Sequence, residues 1–304
     1  MGTPQAAVPS LARLLSEGHD VAAVYTQPDR PSGRGNKIIF PPVKEFATGH
    51  DLPVFQPVKV KIPETLEIFQ SHRADIAVVV AYGRLLPETL LNACPKGAIN
   101  VHFSLLPKYR GAAPVNWAIV NGEFETGVTT MKMDAGLDTG DMLLQQTVEI
   151  GPEETAVELM NRLAFAGADL LSETLASLDT LVPVKQNNDR ATLAPIMKRE
   201  DGLIDWQMQA QHISNRIRGF QPFPSSFTFI NATKLTIWGA FPAEPLAGAK
   251  PSEILMASGD MFEVGCGGGT VLKIEEVQPE GKRRMAVRDF LNGAKPQIGT
   301  ILGK

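Results

Sequence analysis

The stretch D-I-A-V-V-V-A-Y, residues 75–82, decides the fold class. It is short, rich in β-branched residues, and apolar at odd and even positions alike. A strand of that kind has both faces covered, as in a parallel sheet flanked by helices. Working outward, E-T-L-E-I-F-Q-S-H at 64–72 reads as a helix and G-A-I-N-V-H-F at 97–103 as the next strand. Toward the N-terminus lie a helix over 5–17 ended by Gly18, a strand over 21–27, and a Gly/Pro-rich loop over 28–42. Toward the C-terminus follow a helix over 112–121, strands over 127–133 and 142–150, and a long helix over 153–178. This alternation predicts a doubly wound, Rossmann-like α/β domain over residues 1–180.

The alternation then stops. Residues 181–200 read as a linker, and a helix is expected over 207–218. From Ser225 the pattern is short strands broken by Gly, Pro and Asn, as in F-T-F-I-N-A-T-K-L-T-I-W at 227–238. That predicts a small, OB-like β-barrel within a second domain over 201–304. The chain opens M-G-T-P and runs directly into a helix. The first strand of a doubly wound sheet is usually central, and Gly2-Thr3-Pro4 resembles the turn that leaves it. The expectation is that one strand's length, about eight residues, is missing ahead of Met1. Its neighbours would then carry unpaired backbone groups, at roughly 1–3 kcal/mol each where buried.

The composition is that of a water-soluble globular protein, with 43% hydrophobic and 20% charged residues among 304. No apolar run is long enough to span a membrane. The basic-then-apolar pattern of a secretory leader is absent, so a cytoplasmic location without membrane partners is expected. Two cysteines, Cys94 and Cys266, stand far apart, which argues against a disulfide framework or a zinc site. A net charge of −4 argues against a protein that coats nucleic acid, although a local basic patch can still grip RNA.

The candidate chemistry lies between 98 and 142. Asn100 and His102 sit two apart on one strand and so share a face. Asp138 follows in a Gly-flanked loop, G-L-D-T-G. An amide, an imidazole and a carboxylate without a matching Ser or Cys nucleophile point to oxyanion stabilisation and proton transfer, not to an acyl-enzyme. Considered singly, these residues could equally satisfy loop carbonyls at a strand end. Between them lies S-L-L-P-K-Y-R-G-A-A-P, 104–114, whose Pro114 suits the first turn of a helix.

The run N-V-H-F-S-L-L-P-K-Y-R-G-A-A-P followed by D-A-G-L-D-T-G-D-M resembles the formyltransferases that use 10-formyltetrahydrofolate. The similarity is greatest to the branch acting on methionyl initiator tRNA. It extends over T-Q-P-D-R-P-S-G-R-G near the start, A-P-I-M-K-R-E-D-G-L-I-D-W at 194–206, I-R-G-F-Q-P-F-P at 217–224 and Q-P-E-G-K-R-R-M at 278–285. The resemblance implies that Asn100, His102 and Asp138 are the catalytic set, with 10-formyltetrahydrofolate as formyl donor and no metal. It implies folate contacts from Ala81, Tyr82, Arg84 and Leu85 after the 75–82 strand, and from the turn of Ser104, Leu105, Leu106 and Pro107. It also implies tRNA contacts from Arg30, Arg34 and Lys37 in the 28–42 loop, and from Lys282, Arg283 and Arg284 in the barrel. A monomer is expected. Phe103 departs from the glycine common in that place. The other readings are a formyltransferase for an amino sugar nucleotide and a truncated, inactive RNA-binding relative.

Overall fold

The computed structural model describes residues 1–32 and 37–303. It divides into two compact units. The first comprises Met1–Pro114, Glu125–Glu149 and Met160–Pro195; the second comprises Val115–Phe124, Ile150–Leu159 and Ile196–Lys304.

The first unit runs α1 (Val8–Ser16), β1 (Val24–Tyr25), β2 (Arg30–Ser32), β3 (Lys37–Ile39), α2 (Pro42–Thr48), β4 (Val54–Phe55), α3 (Pro63–Ser71), β5 (Ala77–Val79), α4 (Glu88–Leu91), β6 (Ala98–His102) and β7 (Arg110–Gly111). It continues through α5 (Pro114–Val120), β8 (Glu125–Lys132), β9 (Met142–Glu149), α6 (Ala156–Ser177) and β10 (Leu193–Ala194), with parts of α5 and α6 in the second unit. Strands β5 and β6 are parallel, as the covered apolar pattern predicts; β8 and β9 extend the sheet antiparallel, so the sheet is mixed. Every residue of β6 is buried, which makes its two polar members, Asn100 and His102, conspicuous. The 28–42 segment, expected as a loop, contains the antiparallel hairpin β2–β3.

Met1 and Gly2 bond to residues of both β1 and β5. The Met1 amine donates to Val78 O at 2.7 Å, Val80 N donates to Met1 O at 2.8 Å, and Gly2 N donates to Tyr25 O at 2.9 Å. Beside them is a cavity of about 330 Å³ lined by Val24, Ala77 and Val78 among others. Backbone packing here leaves no room for a side chain on Gly2, whose Cβ would stand 2.9 Å from Val80 O.

The stretch expected as a linker is held in the first unit up to Pro195. Val184 pairs with Met142, and β10 pairs in parallel with β7. Conversely, Val115–Phe124 and Ile150–Leu159 join the second unit because their partners are there. Asn116 donates to Gly219 O at 2.7 Å, Trp117 meets Phe220 edge-on at 5.7 Å, and Arg218 donates to the carbonyls of Gly151 and Glu154.

The second unit holds α7 (Ala210–Gly219), β11 (Ser226–Ile230), β12 (Thr233–Ala243), β13 (Ile254–Ser258), β14 (Met261–Gly265), β15 (Val271–Pro279), β16 (Met285–Ala286) and α8 (Val287–Ala294). Its six strands form an antiparallel sheet in the order β11-β12-β15-β14-β13, with β16 on β15. Ala210, Ile213 and Ile217 recur at helical spacing along one face of α7 and join Ile237, Phe262 and Ile274 in the core. Trp206 belongs to that core, its indole N–H donating to Thr228 Oγ1 at 3.1 Å. Among the described residues no helix is long and apolar enough to cross a membrane.

Candidate active site

Strand β6 sets the site by alternation. Val101 and Phe103 face α6, where a Cβ on Gly167 would lie 2.9 Å from Val101 Cγ1 and 3.4 Å from Phe103 Cε1. Phe103 is thus a packing residue on the side of the sheet opposite His102, filling space that the missing side chain of Gly167 leaves. Asn100 and His102 project from the other face, 8% and 5% exposed.

His102 Nε2 lies 3.0 Å from Tyr109 O. A carbonyl only accepts, so Nε2 carries the hydrogen and Nδ1 is left for exchange. Nδ1 stands 3.8 Å from Asp138 Oδ2. That same oxygen accepts from Gly111 N at 2.8 Å. Asp138 has φ +52°, a left-handed conformation uncommon for a side-chain-bearing residue. The loop around it is tied by Asp134, which accepts from Gly136 N and from Thr139 Oγ1. The Asn100 amide has no hydrogen-bond partner among the described residues. The structure therefore brings Asn100, His102 and Asp138 into one unit, with an unengaged amide and Nδ1 beside a carboxylate.

The turn 104–107 lies under this site, but its polar groups are engaged internally. Ser104 is fully buried; its hydroxyl donates to Lys108 O and its carbonyl accepts from Thr129 Oγ1. Leu106 N donates to Thr129 Oγ1 and Leu106 O accepts from Gln145 Nε2. Ser104 and Leu106 therefore brace the turn, while Leu105 and Pro107 are half-buried. Thr129, opposite His102 in β8, is a support that sequence reasoning missed, because a threonine in a strand carries no distinguishing signal.

In the 81–85 loop, Ala81 and Leu85 are exposed, and Arg84 donates to Val58 O. The Tyr82 side chain is instead in the core, 1% exposed, and burial pushes its phenol pKa up. Its carbonyl accepts from Thr3 Oγ1 and Gln27 Nε2. The Tyr82 side chain thus belongs to the core, so any ligand contact from this residue would come from its main chain.

Arg30 donates to Gln27 Oε1 at 2.7 Å at the base of the hairpin. Arg34 and the side chain of Lys37 lie outside the described residues. The base is fixed by groups that sequence reasoning missed: Lys44 Nζ reaches Asp29 and Gln56, and Gln56 Nε2 reaches Gln27 O and Asp29. The Lys44 and Gln56 hydrogen bonds hold the Asp29 carboxyl below the usual carboxylate range. In the second unit, Lys282 and Arg283 are exposed, whereas Arg284 pairs with Glu276 over the Trp238 ring and Arg288 pairs with Asp260. The basic group is therefore partly neutralised by its own neighbours.

A model of the formyl transferase domain matches residues 1–175, and one of the formyl transferase C-terminal domain matches residues 196–295. A methionyl-tRNA formyltransferase of Geobacter metallireducens is 48% identical over 305 residues, covering 100% of this chain and 97% of that protein. One from Solibacter usitatus is 50% identical over 306 residues, again with 100% and 97% covered. Among solved structures, a sugar 3N-formyl transferase with dTDP and 5-N-formyl-tetrahydrofolate superimposes with TM-score 0.67 at 20% identity, covering 93% of this chain and 97% of that one. An N-formyltransferase from Helicobacter canadensis, in complex with folinic acid and dTDP-3-aminofucose, gives 0.66 at 21%, covering 91% and 97%.

Proposed function

The chain belongs to the formyl transferase family, and from that premise we propose that it transfers the formyl group of 10-formyltetrahydrofolate to the α-amine of methionine esterified to initiator tRNA, for the start of translation. The observation that carries this reading is full-length identity near half to methionyl-tRNA formyltransferases, together with the geometry of Asn100, His102 and Asp138.

Formyl transfer to an amine builds negative charge on the formyl oxygen and sheds a proton from the attacking nitrogen. The folate supplies the formyl group. The Asn100 amide, nearly buried and without a partner among the described residues, suits that oxygen. A preorganised donor of this kind is worth about 3–4 kcal/mol of barrier. His102 takes the proton of the attacking amine at Nδ1, since Nε2 is tied to Tyr109 O, and a proton is returned to N10 as the formyl C–N10 bond breaks and tetrahydrofolate leaves. Once Nδ1 has taken the proton, Asp138 stabilises the imidazolium by charge across 3.8 Å, and Asp138 is itself fixed by the Gly111 N–H. Ala81, Tyr82, Arg84 and Leu85, with the turn of Ser104, Leu105, Leu106 and Pro107, are the groups we assign to the folate side. Arg30, Arg34 and Lys37, with Lys282, Arg283 and Arg284, are those we assign to the tRNA.

Acceptor choice tests the reading. The purified chain with 10-formyltetrahydrofolate is offered methionyl initiator tRNA, uncharged tRNA or an amino sugar nucleotide. Formyl incorporation should occur with the first alone. Incorporation into the amino sugar nucleotide, with none into methionyl-tRNA, would overturn it.

A further inference from the structure

We propose that Gln186 is a positioning residue for Asp138, braced by Arg110 and Asn188. The proposal rests on the reading of Asp138 as the carboxylate that supports His102 in formyl transfer. Gln186 lies in the segment whose composition reads as a linker, yet it is only 5% exposed. Its Nε2 donates to Asp138 O at 2.9 Å and to Gly140 O at 2.8 Å. Its Oε1 accepts from Arg110 Nε at 2.9 Å. Two carbonyls need donors and a guanidinium needs an acceptor, so only one orientation of the amide satisfies all three contacts. Arg110 is 7% exposed, and its Nη2 donates to Asn188 Oδ1 at 2.9 Å.

The residue after Arg110 is Gly111, whose N–H holds the Asp138 carboxylate. Asp138 is therefore gripped at both ends. Its side chain is held from Gly111 and its carbonyl from Gln186, and Arg110 joins the two grips. A residue at φ +52° keeps that conformation only where its surroundings impose it. The nearby Gly140, whose carbonyl is the second that Gln186 holds, packs against the Lys132 main chain, where a Cβ would meet Lys132 O at 1.7 Å. Gln186 touches none of the reacting groups. It acts through the placement of Asp138 beside His102 Nδ1, and a displacement of about 1 Å at such a group costs about 100-fold in rate.

Two variants test this, Gln186→Ala and Gln186→Glu; the second keeps the acceptor for Arg110 but sets a carboxylate against two carbonyls. Each should lower kcat for formyl transfer about 100-fold while leaving KM for both substrates within about twofold. In a cycle with Asp138→Ala, the double variant should lose no more than D138A alone. Independently of any substrate, amide exchange across 134–141 should speed by at least about tenfold in either variant, with the strands of the second unit unchanged. Multiplying losses in the cycle, or unaltered exchange across 134–141, would overturn the proposal. If Q186A fails to fold, Q186E carries both readouts. If the unaltered chain formylates no methionyl-tRNA, the functional reading fails, and exchange still decides the grip on Asp138.

Discussion

His102 has one ring nitrogen committed to Tyr109 O and one facing Asp138, and that division of labour is what two polar residues on a buried strand accomplish here. Asn100→Asp keeps the shape but replaces the amide donors with a carboxylate. Its kcat should fall about 10²–10³-fold with an unchanged melting temperature; a kcat within a few-fold of the unaltered chain would remove Asn100 from the site. The two thiols give a second expectation at this scale. Burial pushes the Cys94 pKa up and that of Cys266 up to about 12, so thiolate is scarce at pH 8. Iodoacetamide should label neither cysteine in the folded chain and both in denaturant; rapid native labelling would contradict their burial. The grouping of Asn100 with His102 was legible because residue type, i/i+2 spacing and a long motif coincided. The inward direction of the Ser104 and Tyr82 side chains was not, because residue type does not say which way a side chain points at the end of a strand.

Among the elements, the junction of β7 with β10 does most to fix the site. Each is two residues long and pairs through the backbone, so neither leaves a periodicity in the sequence; that is why 181–200 read as a linker. The same holds for the β2–β3 hairpin. Gly111 sits at φ +122°, and a Cβ there would stand 2.7 Å from Ala194 O. Gly111→Ala should therefore cost about 1–3 kcal/mol of stability by denaturant unfolding. It should also lower kcat by moving the N–H that holds Asp138. An alanine variant as stable and as active as the unaltered chain would show that the close approach is unimportant. By contrast, β6 and α6 were readable, because a fully buried strand and a helix of 22 residues impose clear apolar patterns.

For the whole molecule, the sequence predicted a doubly wound α/β unit followed by a small barrel, and it missed two things that depend on long-range pairing. The β8–β9 edge runs antiparallel, which strand composition alone does not encode. Two internal segments, 115–124 and 150–159, leave the first unit for the second, held by Trp117–Phe220 contact and by Arg218. In a chain of net charge −4, RNA affinity must come from local cations. Lys282→Glu with Arg283→Glu should raise the KM for methionyl-tRNA and flatten its dependence on salt concentration by roughly one to two in logarithmic slope. Reversing Arg288, already paired with Asp260, should do less. An unchanged salt slope for the Lys282/Arg283 variant would remove that patch from the tRNA interface. Single-turnover formyl transfer from 10-formyltetrahydrofolate to methionyl initiator tRNA, compared between the unaltered chain and His102→Ala at saturating tRNA, bears most directly on the proposed chemistry. Formylmethionyl-tRNA should form with the unaltered chain and at least about 100-fold more slowly with H102A; equal rates would contradict the assignment.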